Sequence, residues 1–198
     1  MASTAVRRGK AIYHFPPMAM IRTAMTLSMP LDPARDRLPA APLDIHEERV
    51  PAQWIDYNGH MNVACYVIAF DHATDKMLDL LDLGVDYVKR TNCSTFVLET
   101  HVTYVRELKL DDPLHCHLRM LDVDGKRLHY YFEMFHDREG YLAATSEQIL
   151  LHVDLRTRRA APMPEIARGR AEALRLAQAG LSRPDRLCGC IGIRRNPG

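Results

Sequence analysis

Hydrophobic and polar positions follow two periods along this chain, and the change from one to the other marks its elements. Residues 62–83 carry Val63, Val67, Phe70, Thr74, Met77 and Leu81 at helical spacing. At about 100° per residue these fall on one arc, with Tyr66, Ala73 and Leu78 at its edges. Asn62 stands where an N-cap is wanted and Gly84 where a C-cap is wanted. The pattern predicts one helix over 62–83, buried along one face and long for a small domain unless a sheet wraps round it. Elsewhere the period is two. Residues 45–50 read as a short strand ended by Pro51. Residues 94–106 alternate, with Phe96, Leu98, Val102 and Tyr104 on one side and Glu99, His101 and Thr103 on the other. Segments 113–123, 126–137 and 141–154 follow, punctuated by the turn signals Asp124-Gly125 and Glu139-Gly140. A strand, a long helix and a meander of strands predict an α+β domain with the helix packed on one face of an antiparallel sheet.

The two ends read differently. Residues 1–42 are predicted to be a poorly ordered extension. Its first thirty residues hold Arg7, Arg8, Lys10 and Arg22 without an acidic residue, and Pro30, Pro39 and Pro42 interrupt any regular element. An Arg-rich, acid-free start fits a transit peptide or, more plainly, an upstream start codon before a domain that begins near Asp44. The domain itself is expected over 43–162. Residues 163–198 form a tail with a helix over about 164–179.

Composition narrows the function classes. With 47% hydrophobic and 26% charged residues over 198 positions, the chain reads as one ordinary globular domain plus tails. A net charge of +1 gives no global field for nucleic acid or an anionic membrane, so neither partner is expected. No apolar run is long enough to span a bilayer. The five cysteines are odd in number and irregularly spaced, which suits a reducing cytoplasm better than a disulfide framework. Cys188-Gly189-Cys190 reads as two incidental tail thiols, because no partner motif completes a four-ligand zinc site. His115 and His117 share a strand face without a third ligand at defined spacing and read as surface or interface residues. No metal is expected.

The segment before the long helix is the most informative. Asp56-Tyr57-Asn58-Gly59-His60-Met61-Asn62 holds a carboxylate, two carboxamides, an imidazole and a glycine, and leads into a helix N-terminus. That end presents unpaired N–H groups and the positive pole of the helix dipole. A thioester carbonyl there would have its developing oxyanion stabilised by preorganised donors. Asp56 is the candidate general base or nucleophile, with Asn58 and His60 orienting it or a water. Gly59 allows a close backbone approach. The plainer reading is a loop in which Asp56 and Asn58 only make turn hydrogen bonds.

The string from Trp54 to Asn62, followed by Cys65-Tyr66, resembles the Asp-x-Asn-x-His-x-Asn signature of hotdog-fold thioesterases, the 4-hydroxybenzoyl-CoA thioesterase-like and plant-type acyl-ACP enzymes. The segment from Glu99 to Leu108 is similar to that family's second strand, and the resemblance covers roughly residues 45–162. It implies a sheet wrapped round the helix and hydrolysis of an acyl-CoA with no cofactor beyond the CoA of the substrate. It also implies homodimers or dimers of dimers with sites at subunit interfaces. Carried over by position, Asp56 is the catalytic acid, Asn58 and His60 polarise or position the thioester, and the amides of Gly59, Met61 and Asn62 form the oxyanion hole. Glu99, Thr100 and His101 face a neighbouring loop. Asp71, on the helix, is either an alternative acid of a second subgroup or an edge residue reaching water.

The exact form of the loop is similar to that of thioesterases acting on betainyl-CoA in carnitine breakdown. A quaternary ammonium group favours aromatic faces, and Trp54, Tyr57, Tyr66 and Phe96 are the candidates; a short or medium acyl-CoA stays equally open. Arg156, Arg158 and Arg159 either bind CoA phosphates or form a solvated strand end. A hotdog hydratase or dehydratase is the first alternative, although its Gly-His-Phe-Pro string is absent. A non-catalytic acyl-CoA-binding protein is the second.

Overall fold

In the computed structural model, which describes residues 29–195, one long helix lies against a single curled antiparallel sheet. In chain order the elements are β1 (Leu43–Arg49), α1 (Val63–Leu81), α2 (Val85–Thr91), β2 (Cys93–Tyr104), β3 (Pro113–Val123), β4 (Arg127–His136), β5 (Leu142–Asp154), β6 (Arg159–Ala160) and α3 (Glu165–Ala177). The strands lie in the order β1-β3-β4-β5-β2, with β6 added to β5. This is the α+β hotdog architecture that the resemblance implies. No described helix is long and apolar enough to cross a membrane.

Helix α1 begins as its sequence dictates: the Asn62 side chain accepts from the Ala64 N–H at 2.9 Å. It ends earlier than expected. Asp82, not Gly84, takes the left-handed conformation (φ 61°) that closes the helix, and the Leu83 N–H returns to the Leu78 carbonyl at 2.8 Å. Gly84 instead opens α2, which is too short to leave a periodic signal, and a Cβ there would collide with the Asp79 carboxylate.

The buried face of α1 is rotated from the expected arc. Tyr66, Ala69, Phe70, Ala73, Thr74, Met77, Leu80 and Leu81 are buried, whereas Val63 and Val67 are 57% and 44% exposed. Ala69 and Ala73 let the helix approach the sheet, and Phe70 stacks on Phe132 with centroids 6.0 Å apart. Weighting the branched residues hides this, because the alanines carry the face. Asp71 is exposed, on the side reaching water. His115 and His117 are not surface residues: both are buried, their rings 4.8 Å apart and packed against Phe135.

Residues 29–42 are not the loose linker that their prolines suggest. Leu31 is wholly buried and its N–H donates to the Leu80 carbonyl at 2.8 Å, while the Ala41 carbonyl accepts from Gln178 at 3.1 Å. A large apolar side chain with a pocket to fill overrides local composition. The rest of the expected extension lies outside the described residues. Helix α3 forms within the expected span and packs on β3. Strand β1 pairs only with residues 113–118 of β3, so the exposed edge beyond needs other partners. Gln178 supplies them, donating to the Leu118 carbonyl and accepting from the Met120 N–H.

Candidate active site

The loop from Trp54 to Asn62 is a small hairpin. The Asn62 N–H donates to the Trp54 carbonyl at 2.8 Å, Ile55 bridges Met61, and the Asp56 N–H donates to the His60 carbonyl at 3.0 Å. At its tip the Gly59 N–H returns to the Asp56 carbonyl at 3.0 Å, with Gly59 at φ +84° where a side chain would strain the turn. The Asp56 carboxylate accepts the Asn58 N–H at 2.7 Å on one oxygen, and the Asn58 side-chain amide lies 3.4 Å from the other. The carboxylate is half-buried and aimed by its own turn, directly before the amide-rich start of α1.

Those amides are not all available. The N–H groups of Gly59, Met61 and Asn62, expected to form the oxyanion hole, are bonded to the carbonyls of Asp56, Leu108 and Trp54. Ala64 donates to the Asn62 side chain. Among the described residues, the N–H groups of His60 and Val63 form no such bond, and they are the donors left for an oxyanion. The sequence reading named this helix end but not which of its amides the hairpin consumes.

A second segment, absent from the sequence-derived site, closes one side. The Leu108 carbonyl accepts from Met61 at 2.7 Å and its N–H donates to the Tyr66 hydroxyl at 3.1 Å. The Tyr141 hydroxyl donates to the Glu107 carbonyl at 2.9 Å, with the Arg106 guanidinium 3.7 Å above the Tyr141 ring. Burial pushes the Tyr141 phenol up to about 12, opposed by Arg106. Burial also raises the Tyr66 phenol, so both hydroxyls stay protonated and bonded. Held this way, Glu107 presents its carboxylate 3.7 Å from His60 Nε2. Nothing local in the sequence marks Glu107. Tyr104 is the other addition: its hydroxyl donates to the Val63 carbonyl at 3.2 Å and its ring is half exposed.

The remaining candidates separate. Trp54 is buried, its ring 6.0 Å from His72, and Tyr66 is buried against Tyr104, so neither offers a free face. Tyr57 is 98% exposed. Glu99 and Thr100 are exposed on β2, and among the described residues neither bonds to the loop. Arg156 and Arg158 follow β5 and Arg159 lies in β6, at the end of the sheet where Cys93 pairs Asp154. Arg158 lies 5.0 Å over the Phe96 ring. The Asp56 loop is at the Tyr104 end, so the length of a twelve-residue strand, about 40 Å, separates it from these arginines within one chain.

A sheet curled round one helix, with an acidic hairpin at that helix's N-terminus, defines the hotdog class. Residues 50–171 match the model of the thioesterase-like superfamily, and the chain belongs to that superfamily. It is similar to the betainyl-CoA thioesterase of Pseudomonas aeruginosa, with 34% identity over 151 residues, covering 76% of this chain and 95% of that protein. It is also similar to the L-carnitine dehydrogenase/betainyl-CoA thioesterase of Rhizobium meliloti, with 30% identity over 163 residues. That match covers 82% of this chain but 33% of the relative, so the chain spans about a third of the longer protein's length. A Staphylococcus aureus protein solved in complex with CoA superposes with a TM-score of 0.70 at 28% identity, covering 77% of this chain and 97% of that one.

Proposed function

We propose that this protein hydrolyses an acyl-CoA to the free acid and CoA, with Asp56 as the reacting carboxylate. The observation that carries this reading is the Asp56 carboxylate held by Asn58 immediately before the start of α1, in a chain of the thioesterase-like superfamily. A thioester carbonyl beside that start would direct its developing negative charge at the N–H groups of His60 and Val63 and at the positive end of the helix dipole. Asp56 then takes a proton from water as water attacks, or attacks the carbonyl itself to give an anhydride that water opens. In both routes the thiolate of CoA leaves and takes up a proton. His60, backed by Glu107, stands on the same side to orient the thioester or the water. No metal or cofactor is needed beyond the CoA that arrives with the substrate.

Betainyl is the acyl group we favour, because betainyl-CoA is the thioester in the names of similar proteins. The aromatic faces left for its ammonium are those of Tyr57 and Tyr104, with Trp54 and Tyr66 committed to the core.

We further infer that β2 pairs with β2 of a second copy. Among the described residues the strand has a partner on one edge only, and Val97, Leu98, Tyr104 and, on α1, Val63, Val67 and Ile68 are exposed apolar residues. A twofold antiparallel pairing would set the Cys93 end of one β2 beside the Tyr104 end of the other. Arg156, Arg158 and Arg159 of one copy would then approach the Asp56 loop of its neighbour, where CoA phosphates need them. A dimer of such dimers is compatible with the same edge. Five free cysteines suit a reducing, cytoplasmic setting.

Release of free thiol from betainyl-CoA and from short and medium acyl-CoAs tests the activity. Turnover that is lost in a folded Asp56→Asn variant supports the reading, and undiminished turnover in that variant overturns it.

A further inference from the structure

Across the outer face of the sheet, away from α1, the pairing registers align Arg119, Tyr131, Glu147 and His101 in one row over β3, β4, β5 and β2. The C-terminal tail runs along this row. Arg119 Nη1 donates to the Ser182 carbonyl at 2.6 Å, and the Cys188 N–H donates to Glu147 Oε2 at 2.7 Å. Tyr131 and Glu147 are each 1% exposed. On its other oxygen Glu147 is bonded to His129 Nε2 at 2.9 Å.

This hydrogen bonding accounts for Glu147 but not for what surrounds it. Among the described residues, His101 Nδ1 is closed off from solvent and has no hydrogen-bond partner, a costly state for an imidazole nitrogen. The Cys188 sulfur accepts the N–H groups of Cys190 at 3.3 Å and Ile191 at 3.4 Å, in a turn that places Gly189 at φ +74°. One ligand atom each from His101, Glu147 and Cys188 lies within 4.8 Å of the others. Around a tetrahedral ion with bonds of about 2.0–2.3 Å, ligands stand roughly 3.3–3.8 Å apart, so small side-chain rotations close the set. The spacing of Cys188 and Cys190 alone gave no such site; the fold adds the histidine and the carboxylate.

We propose that His101, Glu147 and Cys188 bind a divalent ion of the zinc class, with water in the fourth position, and that this ion clips the C-terminal tail to the outer face of the sheet. Imidazole, carboxylate and thiolate together suit a borderline-soft cation rather than magnesium or calcium. On binding, the Cys188 thiol releases its proton to solvent as the sulfur–metal bond forms, and nothing is oxidised or reduced. His129 supports the site from behind by fixing the Glu147 carboxylate, as outer partners of metal ligands do. The proposed hydrolysis does not pass through this ion.

The test uses the full-length, reduced, metal-stripped protein titrated with Co²⁺ and then Zn²⁺. One Co²⁺ per chain should bind, with a near-ultraviolet thiolate-to-cobalt band that Zn²⁺ abolishes. Cys188→Ser should lose the band, Cys190→Ser should keep it, and His101→Ala should weaken binding by at least about ten-fold. Saturating Zn²⁺ should slow tryptic cleavage after Arg186, by about ten-fold, in the wild type and not in Cys188→Ser. Matching melting temperatures of the metal-free variant and metal-free wild type show that the domain is intact. A wild type with no saturable band, a band that survives Cys188→Ser, or one that vanishes in Cys190→Ser overturns the site.

Discussion

Asn58 holds both ends of the Asp56 carboxylate: its backbone N–H meets one oxygen at 2.7 Å and its side-chain amide faces the other at 3.4 Å. The turn that makes the hairpin therefore also aims its carboxylate. Replacing Asp56 by Asn preserves the shape and removes the proton acceptor, so kcat should fall by about 10²–10⁴ with an unchanged melting temperature. Asn58→Ala keeps the backbone bond and loses only the amide contact, so a smaller fall in kcat is expected. Steady-state thiol release and a thermal melt on each variant decide this. A melting temperature that collapses in Asp56→Asn would make the residue structural instead.

Tyr66 tests whether the 106–108 segment is fixed by the helix. Its hydroxyl is the acceptor for the Leu108 N–H, whose own carbonyl holds Met61. Tyr66→Phe leaves a buried donor unsatisfied at a cost of about 1–3 kcal/mol, which for a chain of this size lowers the melting temperature by roughly 2–4 °C per kcal/mol. The same change loosens Glu107 beside His60, so kcat should drop as well. An unchanged melt would show that the Leu108 amide finds another acceptor.

How far these relationships could be read from the chain depends on their range. Asn62 as a cap, the alternation of Leu128, Tyr130, Phe132 and Met134, and helix α3 are local patterns, and they were legible. The face of α1 was misjudged because Val63 and Val67 look like core residues, whereas Ala69 and Ala73 do the close packing. Leu31, Glu107 and the meeting of Cys188 with His101 depend on contacts between distant segments, which carry no periodic signature. In the loop, the residue types suggested the chemistry proposed above, but only the hydrogen bonds reveal that the amides of Gly59, Met61 and Asn62 are already occupied.

Leu98 probes the second copy. It lies at the bulge of β2 and is 50% exposed on the strand's unpaired edge. Leu98→Asp puts a charge into the inferred interface without touching the core, so sedimentation should shift from dimer or tetramer to monomer while the circular dichroism stays native. Thiol release should fall with it if arginines of one copy serve the loop of the other. A wild type that sediments as a monomer, or a variant that still assembles, removes the basis for placing Arg156, Arg158 and Arg159 near CoA.

Glu48 gives the pH dependence. Burial works to raise its carboxyl, but the close approach of His46, the hydrogen bond with His72 and the charge of both rings, each 3.1 Å away, outweigh it and hold the group below its ordinary 4.5. A carboxyl lowered in the folded state contributes stability that is complete above its unfolded value and lost as pH falls through the folded one. Wild type should therefore melt above Glu48→Gln at pH 7, by the equivalent of about 1–3 kcal/mol for bonds to a charged group. The two melting curves should converge as the pH is taken below 4. A gap that persists at pH 3 would mean that the loss comes from altered packing between β1 and α1 rather than from the charge.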